Sequence, residues 1–158
     1  MEPRVVLSSV GLPLAGAVAG SVASARGTRS RWYRRLRKPA IQPPGAVFPV
    51  VWSALYAAVA GASLVAQAHG DAASRSSYRA ALAVNMTLNA GWCWTFFVWH
   101  RLGASVVVSG ALAVSSADLA RRAAATSTGA GAALVPYAGW TAFATVLADA
   151  VRRANPGR

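Results

Sequence analysis

The chain has 158 residues, of which 55% are hydrophobic and only 13% are charged, whereas soluble domains carry about a quarter charged residues. Its formal net charge of +12 would suit a nucleic-acid-binding protein if the basic residues formed a patch on a soluble scaffold. They lie instead between or beside long uncharged stretches. This distribution argues against nucleic-acid binding and indicates a single integral membrane domain covering residues 1–158.

Five apolar stretches follow one another along the chain, each near the ~20 residues that a helix needs to cross the hydrocarbon core. We therefore predict an all-α fold, an integral membrane bundle of five transmembrane helices. The predicted helices span residues 5–25, 46–68, 78–99, 103–120 and 131–151. An alternative for the first stretch stays open, because an apolar core followed by Ala23-Ser24-Ala25 also fits a signal peptide cleaved after Ala25.

The basic residues are distributed unevenly between the two sides that five spans create. The side with the segment after the first span, the segment after the third span and the C-terminus carries Arg26, Arg29, Arg31, Arg34, Arg35, Arg37, Lys38, Arg101, Arg152, Arg153 and Arg158. The other side carries Arg4, Arg75, Arg79, Arg121 and Arg122. By the positive-inside rule, the C-terminus is predicted to lie in the cytoplasm if the host is a bacterial inner membrane.

Few residues offer catalytic or metal chemistry. His69 and His100 fall at span ends on opposite faces of the membrane, ~30 Å apart, so they are not expected to share a metal. Asp118 and Asp149 lie near span ends rather than at mid-membrane, which disfavours a proton-coupled multidrug transporter. The sequence therefore predicts no metal site and assigns no catalytic residue.

Aromatic and amide side chains recur at helical spacing on three predicted spans, so that each set shares one helix face. The sets are Phe48, Trp52 and Tyr56 on the second span, Asn85, Asn89, Trp92 and Phe96 on the third, and Tyr137, Trp140 and Ala144 on the fifth. Helix packing alone would account for one such stripe. Three stripes with buried indole and amide groups, which need polar partners in lipid, also suit a pocket for a flat apolar ligand.

Several motifs resemble the TspO/MBR family, which comprises bacterial tryptophan-rich sensory proteins and the mitochondrial translocator protein, also called the peripheral benzodiazepine receptor. The first loop carries Trp32-Tyr33-Arg34-Arg35-Leu36-Arg37-Lys38-Pro39, then Gln42-Pro43-Pro44, Val47-Phe48-Pro49, Trp52 and Leu55-Tyr56. Later matches are Asn89, Trp92, Phe96-Phe97, Pro136-Tyr137, Trp140, Phe143-Ala144 and Leu147. The resemblance covers most of the chain in the family's order.

The resemblance implies a five-helix bundle, often dimeric, with one pocket that opens toward the long first loop. Carried over by position, the ligand-binding residues would be Tyr33, Phe48, Trp52, Tyr56, Asn89, Trp92, Cys93, Phe96, Trp140, Phe143 and Ala144. The proline-rich segment 26–45, with Pro39, Pro43 and Pro44, would act as a lid. These prolines restrict the backbone to extended or turn conformations, so a regular helix is not expected there.

The family binds tetrapyrroles such as protoporphyrin, so the resemblance implies a porphyrin or haem ligand and no required cofactor. A membrane receptor or carrier with a transport or stress-sensing role is the leading interpretation, with lipids and a second copy of the chain as expected partners. A light-dependent enzyme that degrades porphyrin through pocket tryptophans is the alternative. Sterol binding is in doubt, because the C-terminal segment 147–152 lacks the tyrosine of the animal pattern.

Overall fold

Six helices make up the architecture of the computed structural model, which describes residues 3–157; no strand occurs among these residues. They are α1 (Pro3–Thr28, with a π-helical stretch at Leu7–Gly11), α2 (Arg31–Arg34), α3 (Val47–His69), α4 (Ala72–Cys93, running on through a π-helical turn at Trp94–Val98), α5 (Leu102–Thr126) and α6 (Thr128–Ala154). The all-α prediction is confirmed. Arg158, counted in the charge asymmetry, lies outside the described residues.

Four of the helices, α1, α3, α5 and α6, are long and apolar enough to cross a membrane. Their mean hydropathies run from 1.3 for α6 to 1.8 for α1. Helix α4 does not join this group, because its first turns contain Ser74, Arg75 and Arg79 and its middle contains two asparagines. By length and composition, the structure therefore supports four spans where the sequence predicted five.

Polar side chains define where three of the helices begin. The Asp71 carboxylate accepts a hydrogen bond from the Ser74 N–H at 2.7 Å at the start of α4. Ser127 caps α6 and Ser30 caps α2 in the same way, because the first N–H groups of a helix lack partners of their own. The predicted loop 26–45 thus begins inside α1 and includes the single turn α2, while residues 42–44 are not helical.

Helix α1 packs against α4 through a row of glycines. A Cβ on Gly16 would come within 3.2 Å of the Met86 sulfur, and one on Gly20 within 3.2 Å of Cys93 Sγ. At Gly27 a Cβ would lie only 2.4 Å from the Phe97 Cβ, so no side chain fits there. Gly16 and Gly20, four residues apart on one face of α1, thus let the backbones of two helices approach each other within the protomer.

The end of the bundle away from the first loop is filled by side chains. Its core contains Val59, Leu82, Leu119 and Leu134, all fully buried. Buried polar groups there are paired: the Gln67 amide donates to Ser9 Oγ at 2.6 Å and accepts from Ser8 Oγ at 3.1 Å. These bonds join α3 to the π-helical stretch of α1. We call this region the packed half.

Candidate ligand cavity

The opposite end of the bundle encloses a cavity of about 570 Å³. It lies between the C-terminal half of α1, the N-terminal half of α3 and the C-terminal ends of α4 and α6, and the first loop covers it. We call this region the cavity half. The residues that line the cavity are Ala17, Gly20, Ser21, Ser24, Ala25, Thr28, Tyr33, Leu36, Lys38, Gln42, Gly45, Phe48, Pro49, Trp52, Tyr56, Asn89, Trp92, Cys93, Phe96, Phe97, Leu147, Ala148 and Val151.

Aromatic rings that contact one another form much of the wall. Trp92 stacks on Phe96 with ring centroids 5.6 Å apart and planes 19° apart, and Phe97 meets Phe96 edge-on at 4.8 Å. On α3, Trp52 and Tyr56 lie 5.6 Å apart. Rings held in such pairs lose little further conformational freedom when a flat ligand binds, and they offer it a large apolar surface.

The inner end of the cavity is polar and belongs to a directed chain of hydrogen bonds. Tyr56 Oη donates to Asn89 Oδ1 at 2.8 Å, Asn89 Nδ2 donates to Tyr137 Oη at 3.1 Å, and Tyr137 Oη donates to Asn85 Oδ1 at 2.7 Å. Asn85 Nδ2 then donates to Ser115 and Ser116 at 3.1 Å each. The chain joins α3, α4, α6 and α5 at the border between the two halves, and each bond holds the next group in place.

The mouth of the cavity carries the only lysine of the sequence. Lys38 Nζ lies 4.8 Å from the centroid of the Tyr33 ring, a cation–π distance. Burial raises the pKa of Tyr33 above its ordinary value of 10.0, and a hydrogen bond with Gln42 offsets part of that rise. The phenol is therefore neutral at physiological pH, while the ammonium supplies a positive charge beside it.

One buried donor in the cavity wall is left over. Among the side chains of residues 3–157, the buried Trp92 Nε1–H has no hydrogen-bond partner. An unpaired buried donor is costly, so native structures keep few of them. This nitrogen has almost no accessible surface of its own, so a bound molecule reaches it only if neighbouring side chains move.

The structure brings eight of the eleven candidate ligand-binding residues to the cavity: Tyr33, Phe48, Trp52, Tyr56, Asn89, Trp92, Cys93 and Phe96. Trp140, Phe143 and Ala144 are not part of its lining. Trp140 lies behind the wall, edge-on to Phe48 at 6.0 Å and tilted against Phe143 at 5.4 Å. Beyond Leu36, the loop contributes Lys38, Gln42 and Gly45 to the lining, and Pro39, Pro43 and Pro44, which are not part of it, lie between these residues in sequence.

Sequence reasoning missed several residues that shape the site. The small residues of α1, from Ala17 to Thr28, make one wall, and no aromatic or polar periodicity marks them in the sequence. Lys38 and Gln42 sit in a loop, where no helical periodicity exists to predict which way they point. Asn85 and Tyr137 were recognised on their helix faces, but their hydrogen bonds to Asn89 depend on how four helices meet.

The two histidines have separate partners and do not form a common site. His69 Nδ1 lies 2.9 Å from the Val65 carbonyl oxygen within α3, and His100 stacks on Trp32 with ring centroids 4.1 Å apart. Among the described residues, no three His, Cys, Asp or Glu side chains form a group that would hold a metal. Asp118 pairs with Arg121 and Arg122, and Asp149 pairs with Arg152 and Arg153.

Fold and site together define an α-helical membrane protein with an aromatic cavity at one end of the bundle, covered by a proline-rich loop. The chain belongs to the TspO/MBR family, whose model matches residues 9–153. It is 34% identical to the tryptophan-rich sensory protein of Cereibacter sphaeroides over 80% of this chain and 78% of that protein. It is 31% identical to the protein CrtK of Rhodobacter capsulatus, over 80% and 79%, and 30% identical to the translocator protein of Sus scrofa, over 96% and 92%.

Proposed function

We propose that the chain is a membrane receptor or carrier that binds a flat hydrophobic ligand, most directly a tetrapyrrole such as protoporphyrin, in the cavity half. The observation that carries the proposal is the cavity itself, about 570 Å³ and walled by stacked aromatic rings. Its volume falls in the ~300–1,000 Å³ range of small-molecule sites. The names of the relatives, a sensory protein and a translocator protein, favour a sensing or transport role.

The polar groups at the two ends of the cavity favour a ligand with an apolar ring and an acidic edge. Tyr56 and Asn89 make the inner end of the cavity polar, which suits ring nitrogens or other polar atoms of a ligand. Lys38 at the mouth supplies a cation that a carboxylate would pair with. A porphyrin with propionate groups along one side has this division.

We propose a five-span topology in which α4 also crosses the membrane. In a bacterial inner membrane, the C-terminus would then lie on the cytoplasmic side. Helix α4 runs alongside α5 in the opposite direction: Ser77 meets Arg122 at one end, Asn85 meets Ser116 in the middle, and Phe96 packs with Leu102 at the other end. A helix coextensive with an apolar span shares its depth in the bilayer. Its polar middle is tolerated because Asn85 and Asn89 are buried and hydrogen-bonded.

We also propose that the chain forms a homodimer. The Gly16–Gly20 face of α1 packs on α4 within one protomer, so a dimer must use another surface. Gly61 on α3 faces open space, where a Cβ would meet nothing within 4 Å. Cross-linking of two copies in lipid is to be compared at Gly61 on α3 and at an exposed position such as Val107 on α5. Efficient cross-linking at Gly61 alone would indicate a dimer through α3, and efficient cross-linking at Val107 alone would indicate a dimer through another helix.

The test of the proposed ligand is a titration of purified protein with protoporphyrin in the dark and under illumination, followed by tryptophan fluorescence and porphyrin absorbance. Saturable quenching in the dark, with the porphyrin spectrum intact, is the expected result. A new light-dependent product would identify the degrading enzyme instead. Absence of saturable quenching would refute the proposed ligand class.

The acidic edge of the ligand is tested by Lys38→Met. Methionine keeps the length and apolar character of the stem but removes the charge, so affinity for protoporphyrin should fall roughly fivefold, as expected for one exposed charge pair of about 1 kcal/mol. Affinity for the dimethyl ester of protoporphyrin, which has no carboxylates, should stay the same. Equal losses for acid and ester would mean that Lys38 acts through packing on Tyr33 rather than through charge.

A further inference from the structure

The chain after α6 returns to the first loop and binds its backbone. Asn155, only 5% exposed, lies one residue beyond the end of α6. Its Oδ1 accepts a hydrogen bond from the Arg37 N–H at 2.9 Å, and its Nδ2 donates to the Arg37 carbonyl at 3.0 Å. Nδ2 also donates to the Val151 carbonyl at 2.8 Å, which fixes the rotamer of the amide. The side chain thus binds both polar groups of one peptide residue, 118 positions away in sequence.

The residues on either side of Arg37 line the cavity. Leu36, 6% exposed, is buried against Phe96, Leu102 and Val151. Lys38 stands at the mouth. Further along the loop, the Gln42 N–H donates to the Pro39 carbonyl and the Val47 N–H to the Pro44 carbonyl, and these turns are local to the loop. Holding Arg37 therefore positions both neighbours over the cavity.

We propose that Asn155 is a latch: a positioning residue that holds the loop from Leu36 to Gln42 closed over the cavity and sets the rate at which the cavity opens to water. An amide side chain carries a donor and an acceptor side by side, which lets it bind the N–H and C=O of one residue in this reciprocal way. Because Asn155 holds the loop and does not line the cavity, it affects the rates at which a ligand enters and leaves and not the affinity with which the ligand binds. The latch rests on the proposed function only in that a ligand passes this way.

Opening of the loop can be measured without any ligand, because the cavity contains the only cysteine of the chain. Cys93 lines the cavity and is buried. A membrane-impermeant, charged methanethiosulfonate reagent must pass the loop to reach Cys93, so its rate of modification reports how often the loop opens. Asn155→Ala removes both bonds to Arg37 and should accelerate modification roughly tenfold, the effect expected for two modest hydrogen bonds.

Two further variants keep this measurement specific to the latch. Pro156→Ala changes the exposed neighbouring residue and should leave the rate of Cys93 modification unchanged. Asn155→Asp keeps an acceptor for the Arg37 N–H but places a carboxylate oxygen against the Arg37 and Val151 carbonyl oxygens, so the rate should be at least that of Asn155→Ala. If helicity of Asn155→Ala falls, the aspartate variant carries the test. An unchanged rate in a folded Asn155→Asp or Asn155→Ala protein would overturn the latch.

Protoporphyrin kinetics separate the latch from the proposed ligand. If the ligand passes under the loop, Asn155→Ala should raise its association and dissociation rates by a similar factor, while the equilibrium affinity changes less than twofold. Faster Cys93 modification with unchanged protoporphyrin rates would overturn the gating role. If protoporphyrin does not bind even to the wild type, the proposed ligand fails, and the Cys93 rates still decide whether Asn155 holds the loop closed.

Discussion

The packed half and the cavity half are built from the same helices but filled differently. In the packed half, aliphatic side chains such as Leu82, Leu119 and Leu134 reach the centre and leave no solvent-accessible surface of their own. In the cavity half, large rings on α3 and α4 pack against one another along the wall and surround the cavity. Side chains that pair laterally keep a cavity open, whereas those that interdigitate close it.

The border between the two halves is polar. The hydrogen-bond chain from Tyr56 through Asn89, Tyr137 and Asn85 to Ser116 joins four helices at the inner end of the cavity. In lipid, where apolar side chains gain little by leaving the bilayer, van der Waals packing and such bonds are what hold helices together. The packed half and the polar border thus carry the stability that allows the other half to stay open.

The largest effect on stability is expected for Asn85→Leu, which replaces the border amide with an apolar side chain of similar volume. It leaves the Tyr137 hydroxyl without its acceptor in a buried site, which should cost roughly 1–3 kcal/mol in the free energy of unfolding. A denaturant titration in detergent, followed by far-UV circular dichroism, measures this loss. Thr87→Ala is the matched control on α4, since its exposed hydroxyl donates only to the Ala83 carbonyl within the same helix.

If Asn85→Leu proves as stable as the control, the border does not carry the stability assigned to it. If it is destabilised and the remaining folded protein still binds protoporphyrin with wild-type affinity, the two halves are separable, with stability on one side and binding on the other. A loss of affinity with no loss of stability would reverse the comparison, since it would place Asn85 in the cavity's function.

The second prediction compares Trp52, which lines the cavity, with Trp140, which lies behind the wall. Trp52→Phe shortens a ring that lines the cavity and removes its N–H, so protoporphyrin affinity should fall roughly tenfold while stability changes little. Trp140→Phe alters a ring that reaches the cavity only through Phe48 and should change affinity less than twofold. Trp99, 60% exposed, provides the surface control. Titrations by porphyrin absorbance at matched helicity measure all three.

Equal losses for Trp52 and Trp140 would mean that a ligand displaces Phe48 and reaches Trp140, so that the cavity is larger when occupied. Equal small losses for all three would mean that the tryptophans serve packing and the interface. The first outcome would restore the position-by-position expectation for Trp140, and the second would remove the basis for an aromatic binding site.

The length of the apolar stretches predicted the long helices, and helical periodicity predicted much of the aromatic part of the wall, because it reports which residues share a face. It could not predict Trp140, since a shared face does not say which neighbouring helix meets it or at what tilt. Composition placed α4 among the spans, yet its polar start and middle separate it from the four apolar helices. The contact between Asn155 and Arg37 had no sequence signal, because it joins a loop to the chain end through one side chain.

The smallest effect is expected for pH, and it concerns Tyr33 at the mouth. Burial raises the pKa of this phenol above 10.0, which means that the closed loop favours the neutral form. The stabilisation of the closed loop by the neutral phenol is fully present below pH ~10, where Tyr33 is neutral in both the open and the closed form. It is lost as the pH rises through the higher pKa of the closed form. Protoporphyrin affinity should therefore be flat between pH 7 and pH 9 and weaken only above about pH 10. Because Lys38 Nζ lies 4.8 Å from the Tyr33 ring, the wild type must be compared with Tyr33→Phe, which keeps the ring and the lysine. The difference between the two titrations isolates the phenol: wild type should lose affinity more steeply than Tyr33→Phe above pH 10, and superimposable curves would mean that Tyr33 stays in the closed loop whether it is ionised or not.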